Sequence, residues 1–99
     1  MDTVVDRLIR YAKVYSESDY HAGRAVTPST QRQFDMGRLL VEELHGLGIE
    51  NAVLDEKCYV YASVPASPGC EHLPAIGLIA HMDTTPDMTG KDVKPQVIH

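Results

Sequence analysis

The stretch Pro74-Ala75-Ile76-Gly77-Leu78-Ile79-Ala80-His81-Met82-Asp83-Thr84-Thr85-Pro86 constrains the fold more than any other part of this chain. Residues 76–80 are short, apolar and partly β-branched, as a strand buried on both faces should be. His81 and Asp83 lie two apart, so in an extended backbone their side chains point to one face. Thr84-Thr85-Pro86-Asp87 then reads as a turn. An imidazole and a carboxylate sharing the C-terminal mouth of a buried strand resemble half of a metal or acid/base site.

The elements before this strand follow from apolar spacing. Val4, Val5, Leu8, Ile9, Ala12 and Tyr15 recur at three-to-four-residue intervals and predict an amphipathic helix. Residues 16–27 show no such period and are expected as a loop of the length that is often functional or mobile. Thr27-Pro28-Ser29-Thr30-Gln31-Arg32-Gln33 is dense in helix-start signals, with Thr30 and Gln33 as a candidate capping box. A second helix follows, with Phe34, Gly37, Leu40, Val41, Leu44 and Leu47 as its buried stripe and Leu47-Gly48-Ile49 as a glycine stop. Asn51-Ala52-Val53-Leu54 and residues 58–64, separated by Asp55-Glu56-Lys57, predict an antiparallel hairpin, with Tyr59 and Tyr61 on one face. Residues 65–73 form a connection. The order α, α, β, β, β is an α/β arrangement, both helices packing on a sheet of at least three strands. The close on Lys94-Pro95-Gln96-Val97-Ile98-His99 starts another strand without completing it, which reads as truncation.

Bulk properties narrow the partners. At 99 residues the chain is one domain at most, near the lower limit for a self-sufficient core, and is expected to be part of something larger. Nine basic and fourteen acidic residues give a net charge of −5 without a lysine or arginine cluster, which argues against nucleic acid as a partner. Acid at Asp2 and Asp6 is unlike a signal peptide, and the apolar run at residues 75–80 is too short to cross a bilayer. No membrane partner and a cytoplasmic location are expected. Cys58 and Cys70 are then expected as free thiols.

The segment from Ala75 to Asp87, with Gly90-Lys91-Asp92-Val93 and Pro95-Gln96 after it, resembles the first metal-binding motif of the peptidase T family of tripeptide aminopeptidases. That family sits within a clan of di-zinc aminopeptidases, carboxypeptidases and aminoacylases. Thr27-Pro28-Ser29-Thr30, the Leu47-Gly48-Ile49 exit and the hairpin also fall where the family has them, so the likeness covers the whole chain. The resemblance implies that residues 1–99 are the N-terminal portion of a catalytic domain, an α/β/α sandwich on a mixed sheet interrupted by a lid or dimerisation domain. It implies His81 as a zinc ligand, and Asp83 as a supporting catalytic carboxylate that orients the imidazole. It further implies two zinc ions per intact site, a short peptide as substrate and a homodimer as a possibility for the intact enzyme. The other ligands and the general base have no counterpart here, so the isolated chain is expected to be inactive.

Plainer readings apply elsewhere. Glu42-Glu43 mimics the family's glutamate pair but lies between Val41 and Leu44 on a helix, and is expected to be a solvated surface. His21, His45, His72 and His99 are scattered without ligand spacing, and Tyr59 with Tyr61 is ordinary strand packing. Two rivals remain: a small non-catalytic α/β interaction module using its open sheet edge, and another metallohydrolase built on His-x-Asp.

Overall fold

The computed structural model describes residues 2–99. Its elements are helix α1 (Val4–Ala12), helix α2 (Gln33–Gly46), and strands β1 (Val53–Leu54) and β2 (Val60–Tyr61). The start of α1 and the end of α2 are set by local chemistry. Thr3 caps α1 by accepting the Asp6 amide at 3.1 Å, while the Asp6 carboxylate accepts the Thr3 amide at 2.8 Å and its hydroxyl at 2.6 Å. The Thr3 hydroxyl and backbone thereby hold the Asp6 carboxyl below its ordinary range. At the end of α2, Gly48 takes φ +86° and the chain closes with Gly48 N–H on His45 O at 2.9 Å and Ile49 N–H on Leu44 O at 3.0 Å. This is the expected glycine stop in its Schellman form.

The start of α2 differs from the expected capping box. Thr30 donates its hydroxyl to Glu17 O at 2.7 Å, and Gln33 Nε2 bonds the Ser29 and Thr30 hydroxyls at 3.1 Å each. The Thr30 hydroxyl is committed to the preceding loop, so α2 starts at Gln33, after Arg32, without a side-chain cap.

β1 and β2 pair antiparallel with Val53 opposite Tyr61 and Leu54 opposite Val60, as the hairpin pattern requires. Asp55 shapes the turn, its Oδ1 accepting the Lys57 and Tyr59 amides at 2.9 and 2.8 Å. Helix α2 lies on this hairpin. Gly37 permits the approach: a Cβ there would stand 2.7 Å from Leu54 Cδ1. Met36, Ala52 and Cys58 are the buried apolar residues of this packing. Cys58 and Cys70 are free thiols, and burial together with the Asp55 charge pushes the Cys58 thiol up.

The molecule is thus α/β, but among the described residues its sheet has only these two strands. Residues 76–80 do not form the expected third strand: Ile76, Leu78 and Ile79 are 89%, 94% and 100% exposed. A two-sided strand needs a ladder at its edges and a layer over each face, and neither helix supplies one: α2 lies on the hairpin, while α1, contrary to the expectation that both helices pack on the sheet, buries no residue. The radius of gyration, 16.0 Å, exceeds the roughly 13 Å of a closed domain this size. No described helix is long and apolar enough to cross a membrane.

One expectation for the helices also changes. Glu43 is not a solvated residue: its side chain is 15% exposed and accepts hydrogen bonds from Arg10 Nε and the Tyr11 hydroxyl. Burial pushes the Glu43 carboxyl up, but Tyr11 and the Arg10 guanidinium outweigh it and hold the group below the usual glutamate range. Arg10 also reaches Asp2, so one side chain joins the chain start, α1 and α2.

Candidate functional site

His81 and Asp83 are brought together at the exit from the extended segment, as their two-residue spacing predicts. His81 Nδ1 lies 2.9 Å from Asp83 O and 3.1 Å from Asp83 Oδ1. A carbonyl oxygen can only accept, so Nδ1 is the donor, and a neutral ring donating there has its lone pair on Nε2. The His81 side chain is 84% exposed and that of Asp83 34%, which leaves Nε2 open. An imidazole with Nδ1–H donated to a carboxylate and a free Nε2 is the donor arrangement of a metal-bound histidine with its outer partner. The chemistry of His81 therefore fits one corner of a zinc site. Among the described residues no group of three or more His, Cys, Asp or Glu side chains gathers to complete it.

The pair stands at the rim of a cavity of about 970 Å³ between α1, α2, β2 and residues 78–84. Its walls are largely apolar, with Leu8, Leu40, Leu44 and Leu78 among them, and Tyr11 and Glu43 add a polar edge. Of the other histidines, His45 bonds Ala52 O through Nε2 at 2.9 Å and ties the end of α2 to the hairpin. His21, His72 and His99 are exposed. Tyr59 and Tyr61 share a face with ring centroids 6.2 Å apart, an ordinary strand contact.

Sequence reasoning missed the residues that hold this exit. The loop that begins at Ser16 runs beside residues 82–90, with Glu17 and Thr84 forming a parallel bridge. Ser16 is fully buried and donates its hydroxyl to Met82 O at 3.1 Å. Thr84 N–H reaches Ser16 O at 3.2 Å, Ser18 N–H reaches Thr84 O at 2.9 Å, and Glu17 Oε2 accepts the Gly90 amide at 2.9 Å. Gly90 also packs closely on Thr84: a Cβ there would stand 2.9 Å from the Thr84 hydroxyl. Partners 66 to 73 positions apart leave no local periodicity; the only signal was the cluster of hydroxyl and acidic residues in Ser16-Glu17-Ser18.

Comparison with known proteins bears out the family resemblance. The chain is 50% identical over 99 residues to the Peptidase T of Alkaliphilus oremlandii, covering 99% of this chain and 24% of that protein. It is 50% identical over 99 residues to the Peptidase T of Halothermothrix orenii, 23% of that protein. To the Peptidase T of Geobacillus thermodenitrificans it is 44% identical over 95 residues, 22% of that protein. No family model matches the chain. The chain is thus a relative of these proteins along nearly its whole length, and spans about a quarter of theirs.

Proposed function

We propose that these residues are the N-terminal portion of a cytoplasmic zinc-dependent tripeptide aminopeptidase, which hydrolyses the N-terminal residue from short peptides. What carries the reading is the His81 to Asp83 contact, at the same place in the sequence as the likeness to Peptidase T proteins. His81 offers Nε2 as one zinc ligand. Asp83 accepts from Nδ1 through its carbonyl and carboxylate, which orients the ring and favours the tautomer with Nε2 free for a metal. Zinc, when bound, supplies Lewis acidity toward water and a peptide carbonyl. The remaining ligands and the general base come, in this reading, from outside these 99 residues. The exposed apolar segment 76–80 supports it, since later strands of an α/β/α sandwich have a place to pair there.

The test is zinc content and tripeptide hydrolysis by the full-length protein carrying this chain. Zinc-dependent release of the N-terminal residue, lost in His81→Ala, is the expected result. A full-length protein that neither takes up zinc nor cleaves tripeptides sinks the proposal and favours the interaction module, whose exposed 76–80 segment then serves as an edge for a partner strand.

A further inference from the structure

We propose that Ser16, with Glu17 and Ser18, is a positioning clamp that sets the direction in which His81 presents Nε2; this rests on the metal reading above. Both peptide units flanking Asp83 are held by Ser16. The unit before Asp83 offers the Met82 carbonyl, which accepts the Ser16 hydroxyl at 3.1 Å. The unit after it offers the Thr84 amide, which donates to Ser16 O at 3.2 Å.

The second unit also contains the Asp83 carbonyl that accepts His81 Nδ1–H at 2.9 Å. Because a peptide unit is planar, fixing the Thr84 N–H fixes the direction of that carbonyl. The clamp is therefore transmitted to the imidazole through one rigid plane. Ser16 is itself fully buried, 0% exposed. Around it, Ser18 holds Thr84 O through both its amide, at 2.9 Å, and its hydroxyl, at 3.1 Å. Glu17 O takes the Thr30 hydroxyl at 2.7 Å, and Glu17 Oε2 closes the far leg on the Gly90 amide at 2.9 Å. Among the described residues the exit has no regular sheet around it, so these bonds orient it, together with the Tyr20 hydroxyl, which lies 3.0 Å from the Thr85 hydroxyl and donates to Asp87 Oδ2 at 3.1 Å.

The clamp is tested in the full-length protein by amide hydrogen exchange without metal and by zinc affinity from chelator competition. Ser16→Ala keeps the Ser16 carbonyl that accepts the Thr84 amide but removes the hydroxyl from Met82 O, and the exit loosened by that loss is expected to let the Thr84 amide exchange about fivefold faster. Zinc affinity is expected to fall about tenfold, the lower range for outer partners of a metal ligand, with kcat reduced and KM unchanged. Should Ser16→Ala not fold, Glu17→Ala releases the Gly90 leg without disturbing the buried hydroxyl; about threefold losses of Gly90 protection and zinc affinity are expected. Unchanged Thr84 exchange in Ser16→Ala, or faster exchange with zinc affinity within twofold of the parent, overturns the clamp. A parent protein that binds no zinc overturns the metallopeptidase reading and the positioning role with it. Thr84 protection in that same sample then shows whether the bonds themselves stand.

Discussion

Residues 2–64 and residues 65–99 follow different rules. The first region carries both helices and both strands, each bounded by contacts within a few positions of its ends. The second holds no helix or ladder and meets the first where Met82, Thr84 and Gly90 bond Ser16, Glu17 and Ser18, and where Thr85 and Asp87 bond the Tyr20 hydroxyl. The apolar content of residues 76–80 is no lower than that of the hairpin, so hydrophobicity does not separate the two regions. Partners do. A helix satisfies its backbone internally and a hairpin brings its own second strand, whereas a two-sided strand depends on neighbours supplied from elsewhere.

The largest expected effect probes the chemistry at the boundary of the two regions. His81→Ala in the full-length protein should lower zinc affinity by more than the about 100-fold that marks loss of an outer partner. Retained zinc in a chelator titration removes His81 as a ligand. Next comes packing in the first region: Met36→Ala, at a 6% exposed position, should cost about 2 kcal/mol by urea denaturation, the low end for a core truncation beside an open cavity.

Glu43→Gln should cost about 1 kcal/mol, because a charge-assisted contact to Arg10 becomes a neutral one. Its pH dependence has a definite sign. The folded Glu43 carboxyl lies below its unfolded value, so its contribution is complete above about pH 4.3 and is lost as pH falls through the folded value. An acid limb of the stability curve identical in Glu43→Gln and the parent contradicts this.

The smallest effect is the sharpest on the comparison itself. Ile79→Asp in the 99-residue chain should change stability by less than about 0.5 kcal/mol, since the side chain is fully exposed. The same substitution in the full-length protein should be severely destabilising if later strands cover the segment, which the two denaturation curves compare directly.

Much of the fold was legible because its signals are local. The apolar period of α1, the Leu47-Gly48-Ile49 stop and the Asp55-Glu56-Lys57 turn each act over a handful of residues. The candidate site was legible in part: a spacing of two placed His81 and Asp83 side by side. The readings of Thr30 and Glu43 failed for a shared reason. Each was assigned by its neighbours in sequence, yet Thr30 is claimed by Glu17 and Glu43 by Arg10 and Tyr11.

The sequence by itself determined the helices, the hairpin, the histidine and carboxylate at one exit, and the family likeness. Backbone geometry and side-chain periodicity are short-range and survive without a finished core. Tertiary structure alone decided that Ser16 holds both peptide planes of Asp83, that Glu43 joins two helices, and that residues 76–80 lie open. Those outcomes depend on which groups meet across 32 to 73 positions, and on whether a neighbour is present to meet them.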